Sequence, residues 1–294
     1  MPAAPAASST LHSPLLASIG VPHAFSTRLG GVSSGPFATL NFGNPGDLAA
    51  PLRDPRSNID RNWQLLARAI GAAIPAAAEG LMQRSVVEVH QVHGDTVSVV
   101  RANAPIPRGP DGRDPRADAI VTDDPGRLAA VRVADCTPVL IASSDGAIVA
   151  AVHAGWRGTV ANIIAGAVRA MTELGASPGA MLAAIGPCIG ASAFEVGPEV
   201  ADEFRERFGH ATPHVRPDAN SPKAFVDLKG ALREQLMAAG VAPERIDVLP
   251  HCTVRDADLF FSHRRDRGVT GRMVGIIGPS EMRAGHLHST PKVC

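Results

Sequence analysis

The sequence predicts an α+β fold, a mixed or antiparallel sheet covered by helices in one domain. Three observations lead there. Three segments carry apolar residues at helical spacing, and short β-rich runs lie around them, several close enough to pair as hairpins. Neither GxGxxG nor GxxxxGK[ST] occurs, which removes the phosphate loops expected of a nucleotide-binding, doubly wound parallel sheet.

The first helix is expected over Asn58–Ile70, where Ile59, Trp63, Leu66, Ala67 and Ile70 share a face and Gly71 suits the C-terminal stop. The second begins after Thr159, with Val160, Ile163, Ile164, Ala167, Val168 and Met171 on one stripe. The third runs from Asp227, a good N-cap, to Gly240. Strands are expected at Val86–Val92, Thr96–Val100, Leu128–Val133, Val139–Ala142, Ile148–Val152, Ile246–Leu249 and Met273–Ile277. Pro105–Pro115 reads as a long exposed loop. Residues 1–14, rich in Ala, Pro and Ser, and residues 281–294, which lack an apolar period, read as loose tails around a domain spanning 15–280.

Bulk properties narrow the partners. The 294 residues include 45% hydrophobic ones, enough for a sizeable core. Lys plus Arg equals Asp plus Glu at 28 each, so no overall field attracts nucleic acid or an anionic membrane, and any anion must be held locally. No apolar run reaches the length of about 18 residues that a spanning helix needs. No obligate protein partner is evident. The four cysteines (Cys136, Cys188, Cys252, Cys294) lack CxxC spacing and the N-terminus lacks a leader pattern, which together predict a cytoplasmic protein with reduced thiols.

The most informative segment is ADCTPVLIASSDGAIVAAVHAGWRG, Ala134 to Gly158. Asp145-Gly146 sits between two apolar runs as a two-residue hairpin turn should. Pairing Ser144 with Ala147 puts His153 opposite Pro138, and Cys136 lies two residues further along the same face. Cys136 and His153 are then diagonal neighbours with Cβ atoms roughly 7 Å apart or less, close enough for a thiolate and an imidazole to share one ion. A third donor is available in VHQVHGDTV, where His93 precedes a Gly-Asp turn. His90, three residues earlier, points to the other face, so His93 is preferred. Two His and one Cys leave a fourth tetrahedral position open, as in catalytic rather than structural zinc sites. Taken singly, each residue reads more readily as a small buried hydrophobe or a hydrogen-bonded histidine than as a ligand; the shared register is what raises the pair as a ligand set.

Six motifs in order also carry a resemblance: FSTRLGGVSSGPFATLNFG (25–43), QVHGDTV, ADCTPVLIA, HAGWRGT, IGPCIG (185–190) and FFSHRRDRGVTGRMVGIIG (260–278). The chain resembles the laccase-domain or polyphenol oxidase family, whose members also go by peptidoglycan editing factor and purine nucleoside phosphorylase. The resemblance implies an αββα sandwich similar to cysteine-hydrolase toxins. It implies metal ligation, usually by zinc and with copper possible, at His93, Cys136 and His153. It further implies phosphorolysis of adenosine, inosine and methylthioadenosine, together with adenosine deamination, so that purine nucleoside and phosphate are the expected partners. Arg28, Asn41, Cys188, Arg157 and Arg265, with Arg264, are the motif residues expected around the nucleoside and phosphate. Gly158-Thr159, opening a helix, is a candidate source of backbone N–H groups for phosphate. One departure stands out: the family's SYRRD is Ser262-His263-Arg264-Arg265-Asp266 here, and the chain has no Tyr, so His263 must replace any contribution from a phenol.

Three other chemistries compete. A copper polyphenol oxidase of the multicopper kind needs many paired histidines, whereas this chain has eleven His and one HxH, His286-Leu287-His288. A hydrolase editing peptidoglycan precursors rests on a family name alone. A cysteine hydrolase would use Cys136 as nucleophile and His153 as base, and bound metal would quench it. A non-enzymatic zinc-stabilised module would instead close its metal with four protein ligands and lose its fold on chelation.

Overall fold

Alternation disappears from the central strands because helices cover both outer sides of two stacked sheets. A computed structural model describes residues 9–46, 48–71, 85–109, 112 and 114–280. One sheet has the order β1 (Thr10–Leu11), β2 (His23–Ser26), β14 (Met273–Ile277), β6 (Arg127–Val133), β3 (Ser85–Val87). The other has the order β13 (Ile246–Val248), β9 (Leu182–Ile185), β7 (Thr137–Ala142), β8 (Val149–Ala154), β5 (Ala119–Thr122), β4 (Val97–Val100). Both are mixed: β3 runs parallel to β6, β13 to β9 and β4 to β5, while the remaining pairs are antiparallel. A third, small sheet of β10 (Glu195–Val196), β12 (Ala224–Val226) and β11 (Val215–Pro217) packs with α5 (Pro198–Phe208) beside them.

Residue parity sorts the layers. Val139, Ile141, Ala150 and Val152 pack with α4 (Ile163–Glu173) and α6 (Leu228–Ala238). Their neighbours Leu140, Ala142, Val149 and Ala151 turn the other way, against Phe25, Ala129, Val131 and Ile277 of the first sheet. Leu128, Ala130, Val274 and Ile276 cover that sheet's outer face with Ile59, Trp63 and Leu66 of α2 (Arg56–Ala69). The result is the expected αββα sandwich, an α+β fold.

Several boundaries differ from expectation. Thr10–Leu11 pairs with Phe25–Ser26, and α1 (Pro14–Ser18) follows, so the N-terminal segment joins the sheet before residue 14; residues 1–8 and 281–294 lie outside the described residues. The strand expected over Val86–Val92 ends at Val87, because by His90 the chain has crossed to bond Pro115 and Ala117 on the approach to β5. The second helix is two: α3 (Trp156–Val160) and α4 are separated by Asn162 in the left-handed region (φ 64°), and Val160 packs with the small sheet instead of the α4 stripe. Asp227 caps α6 as expected, accepting from the Gly230 N–H at 3.1 Å. No helix among the described residues is long and apolar enough to cross a membrane.

Candidate metal centre

The β7–β8 hairpin has the expected register, with Pro138 opposite His153. Its turn differs. Ser143 N–H bonds Ile148 O (2.8 Å), Gly146 N–H bonds Ser143 O, and the Ser143 hydroxyl accepts from Ile148 N–H, so the loop takes four residues instead of two. Both strands lose one residue to it, which leaves the register unchanged. Parity places His153 on the side of Val149 and Ala151, and Cys136 on the side of Leu140 and Pro138, both facing the layer between the sheets. Pro138 fills the end of that layer against Gly186 and Gly275, where a Cβ would stand 2.8 Å from its ring.

The ligand atoms of His93, Cys136 and His153 lie within 4.8 Å of one another. His90 is not in this group, although it lines the same cleft. Around tetrahedral zinc such atoms stand about 3.5 Å apart, so side-chain adjustments of the order of 1 Å bring the set to bonding distance. The donor chemistry also fits. Burial alone would raise the Cys136 thiol, but the His153 charge and hydrogen bonds from both histidines pull it down to about 6. His153 is lowered by burial but raised more by the Cys136 thiolate and by Asp118, to about 9.

Asp118 is a residue that sequence reasoning missed. It is fully buried and accepts from His153 Nδ1 at 2.8 Å, which leaves Nε2 for the centre. Its carboxylate also accepts from the backbone N–H groups of His93 (2.9 Å), Gly94 (2.7 Å) and Val92 (3.2 Å). The segment needs this support because His93 has φ 61°, unusual for a residue other than glycine. Glycines close the other side. A Cβ at Gly155 would lie 3.0 Å from both Cys136 Sγ and His93 Cδ2, and one at Gly158 would lie 2.9 Å from Gly94 O. Gly158 and Thr159 therefore sit inside α3 against the His93 segment, with the Thr159 N–H already bonded to Gly155 O (2.9 Å), and do not open a helix toward a ligand.

The centre opens into a cleft of about 550 Å³. Arg132, Arg264 and Arg272 line it, as do Ile189 and Phe194, with His263 at its exposed rim. Arg264 lies over the Phe194 ring at 5.6 Å and donates to Glu195 O, while Arg132 pairs with Glu88 at 3.2 Å.

Residues 22–280 match the family described as multi-copper polyphenol oxidoreductase laccase. The chain belongs to that family. Among its relatives, the purine nucleoside phosphorylase of Deinococcus radiodurans is 38% identical over 260 residues, covering 88% of this chain and 90% of the relative. Purine nucleoside phosphorylase YlmD of Geobacillus stearothermophilus is 36% identical over 87% of this chain and 89% of its own. The crystal structure of YlmD superposes with a TM-score of 0.78 at 35% identity, covering 94% and 97% of the two chains. Neisseria meningitidis protein NMB0706 gives 0.75 at 33% identity, over 93% and 100%.

The other motif residues of this family member stand away from the cleft surface, since none of Arg28, Asn41, Cys188, Arg157 and Arg265 lines it. Arg28 stacks on Phe261 at 4.6 Å and donates to Ala38 O and Ala257 O. Asn41 is buried, donates to Asp54, and accepts from Gly43 N–H and Arg272 N–H, so it fixes two stretches that do line the cleft. Cys188 is buried beside Cys252, and burial pushes its thiol up to about 12. Arg265 spans Thr253 O, Phe260 O and Asp266. Arg157 is exposed and lies over the Trp156 ring. Among the described residues, one His/Cys/Asp/Glu group can hold a metal, whereas a multicopper oxidase needs several.

Proposed function

We propose that the protein is a zinc-dependent purine nucleoside phosphorylase, acting on adenosine, inosine and methylthioadenosine with accompanying adenosine deamination. The observation that carries the reading is the candidate ligand set of His93, Cys136 and His153, three donors with room for a fourth, opening into a cleft lined by three arginines and by Ile189 and Phe194. The names of the relatives, purine nucleoside phosphorylase, support the phosphorylase part of this reading. Zinc is favoured over copper because two imidazoles, one thiolate and an open position are the donor set of a catalytic zinc site, and zinc supplies Lewis acidity that polarises a substrate oxygen.

The chain's own residues do the rest. Ile189 and Phe194 offer an apolar face to the purine. Arg264 and Arg272 supply positive charge for hydrogen phosphate, whose oxygen bonds to C1′ as the C1′–N9 bond breaks and whose proton ends on the departing purine. Asn41 holds the cleft wall from behind through Gly43 and Arg272. We assign the activity to one domain, extended at its N-terminal end to include Thr10–Leu11, working in the cytoplasm, where Cys136, Cys188 and Cys252 stay free thiols.

Chromatography of adenosine incubated with zinc-loaded protein, with and without phosphate, tests the reading. Adenine and ribose 1-phosphate appearing only with phosphate mean phosphorolysis, and inosine means deamination; no turnover of any purine nucleoside overturns it. A second reading has its own observation, since Cys136, His153 and Asp118 line up as nucleophile, base and orienting carboxylate. Native-state labelling of Cys136 by iodoacetamide in protein purified without chelator favours that hydrolase; stoichiometric zinc argues against it.

A further inference from the structure

We propose that Asp118 is the positioning residue of the metal centre, the one group that fixes both histidines and thereby sets affinity for a divalent ion. The proposal rests on the metal-dependent reading above.

Asp118 stands just before β5, and continuing the β5–β8 register puts it opposite His153, whose own N–H bonds Asp118 O at 2.7 Å. Its Oδ1 accepts from His153 Nδ1 and His93 N–H, and its Oδ2 from Gly94 N–H and Val92 N–H. A carboxylate has about four acceptor sites and no donor, so four convergent donors use it fully. Among the described residues no other side chain bonds these four donors. An Asn in the same place turns an NH₂ toward at least one N–H, and an Ala leaves all four donors without the carboxylate. One carboxylate therefore does two things. As acceptor it makes Nδ1 the donating nitrogen of His153 and aims Nε2 at the centre, and through three consecutive amides it holds the turn that carries His93. Gly155 and Gly158 close on that turn from the opposite side, so it sits between two fixed walls. Carboxylates that orient a ligating histidine typically change metal affinity about 10–100-fold when removed.

The test is the zinc dissociation constant, measured by competition with a chromophoric chelator on the full chain, for wild type, Asp118→Asn and Asp118→Ala. Asp118→Asn should bind zinc about 10–100-fold more weakly at unchanged 1:1 stoichiometry, and Asp118→Ala at least as weakly. Asp118→Asn binding within twofold of wild type overturns the proposal. A measurement on wild-type protein removes dependence on the variants folding: with ¹¹³Cd and ¹⁵N-histidine label, cadmium should couple to Nε2 of His153 while Nδ1 keeps its proton. Coupling at Nδ1 overturns the proposal too. If wild type binds no zinc or cadmium, the metal reading falls and this inference with it; tight wild-type binding matched by Asp118→Asn removes the inference alone.

Discussion

At the residue scale, the three candidate ligands differ in what removing them does. Cys136 is the only anionic donor of the set, so Cys136→Ala should abolish stoichiometric zinc binding and purine turnover together, checked by metal analysis and chromatography. Turnover at the wild-type level in this variant contradicts the proposed function. The metal-free protein makes a sharper prediction about pH. With the thiol near 6, alkylation of Cys136 after chelation should have its midpoint near pH 6, far below the ordinary cysteine value of 9.0. Stability should move much less. The depressed Cys136 favours the folded state increasingly as pH rises from about 6 toward 9, whereas His153, raised from 6.5 to about 9, loses its contribution over nearly the same range. The opposite signs leave thermal unfolding of the chelated protein nearly flat there. A steep slope in either direction shows that the two groups do not titrate as a pair. Gly155 is the third lever. A Cβ there meets Cys136 and His93 at 3.0 Å, so Gly155→Ala should weaken zinc binding while the fold persists, since ligand displacements of about 1 Å cost of the order of 100-fold in function.

At the scale of elements, the β7–β8 hairpin fixes the spacing of Cys136 and His153, and its turn can be tested without touching the centre. Gly146 has φ +68°, and a Cβ there would lie 2.9 Å from Val21 and Ser280 atoms. Gly146→Ala should therefore destabilise the protein by about 1–2 kcal/mol from backbone strain, plus the cost of the contacts, with zinc stoichiometry unchanged. Equilibrium denaturation combined with metal analysis separates the two effects. The same logic holds at the start of α6, where Asp227→Ala should cost about 1 kcal/mol through the lost cap to Gly230. The long stripes of α2 and α6 were legible because one face of each is apolar. Strands β2, β5 and β9 were not, since HAFS, AIVT and LAAI are buried on both sides and show no alternation. Missing β5 meant missing Asp118, whose pairing with His153 is a contact across 35 residues of chain.

For the whole molecule, the centre sits at one end of the sandwich, and the three clusters that fill the faces of the two large sheets contain none of its candidate ligands. Chelation should leave far-UV circular dichroism unchanged and lower the melting temperature only by the linkage term for lost metal, unlike a structural zinc site, which unfolds. Loss of secondary structure on chelation would make the centre structural. The layer between the sheets carries more of the stability. Leu140 is fully buried there, so Leu140→Ala should cost about 2–5 kcal/mol by denaturant unfolding, more than the cap substitution.

The sequence by itself determined the hairpin register, and with it the pairing of Cys136 with His153, because an Asp-Gly turn between apolar runs acts over a few residues and strand parity then fixes the faces. It also determined the α+β class, through local periodicity, and the helix starts and stops at Asp227 and Gly71. Only the tertiary structure decided what surrounds the three candidate ligands. Asp118, Arg132 and Arg272 reach the centre or its cleft through strand pairings and loop crossings far apart in sequence, whereas Arg28, Asn41 and Cys188, prominent in the motifs, do not line the cleft, and Asn41 instead holds Gly43 and Arg272, which do. Motifs record which residues a site needs. Whether a residue faces the cleft or supports it depends on which strands become neighbours, and that is set by burial of the whole core and not by any short stretch of sequence.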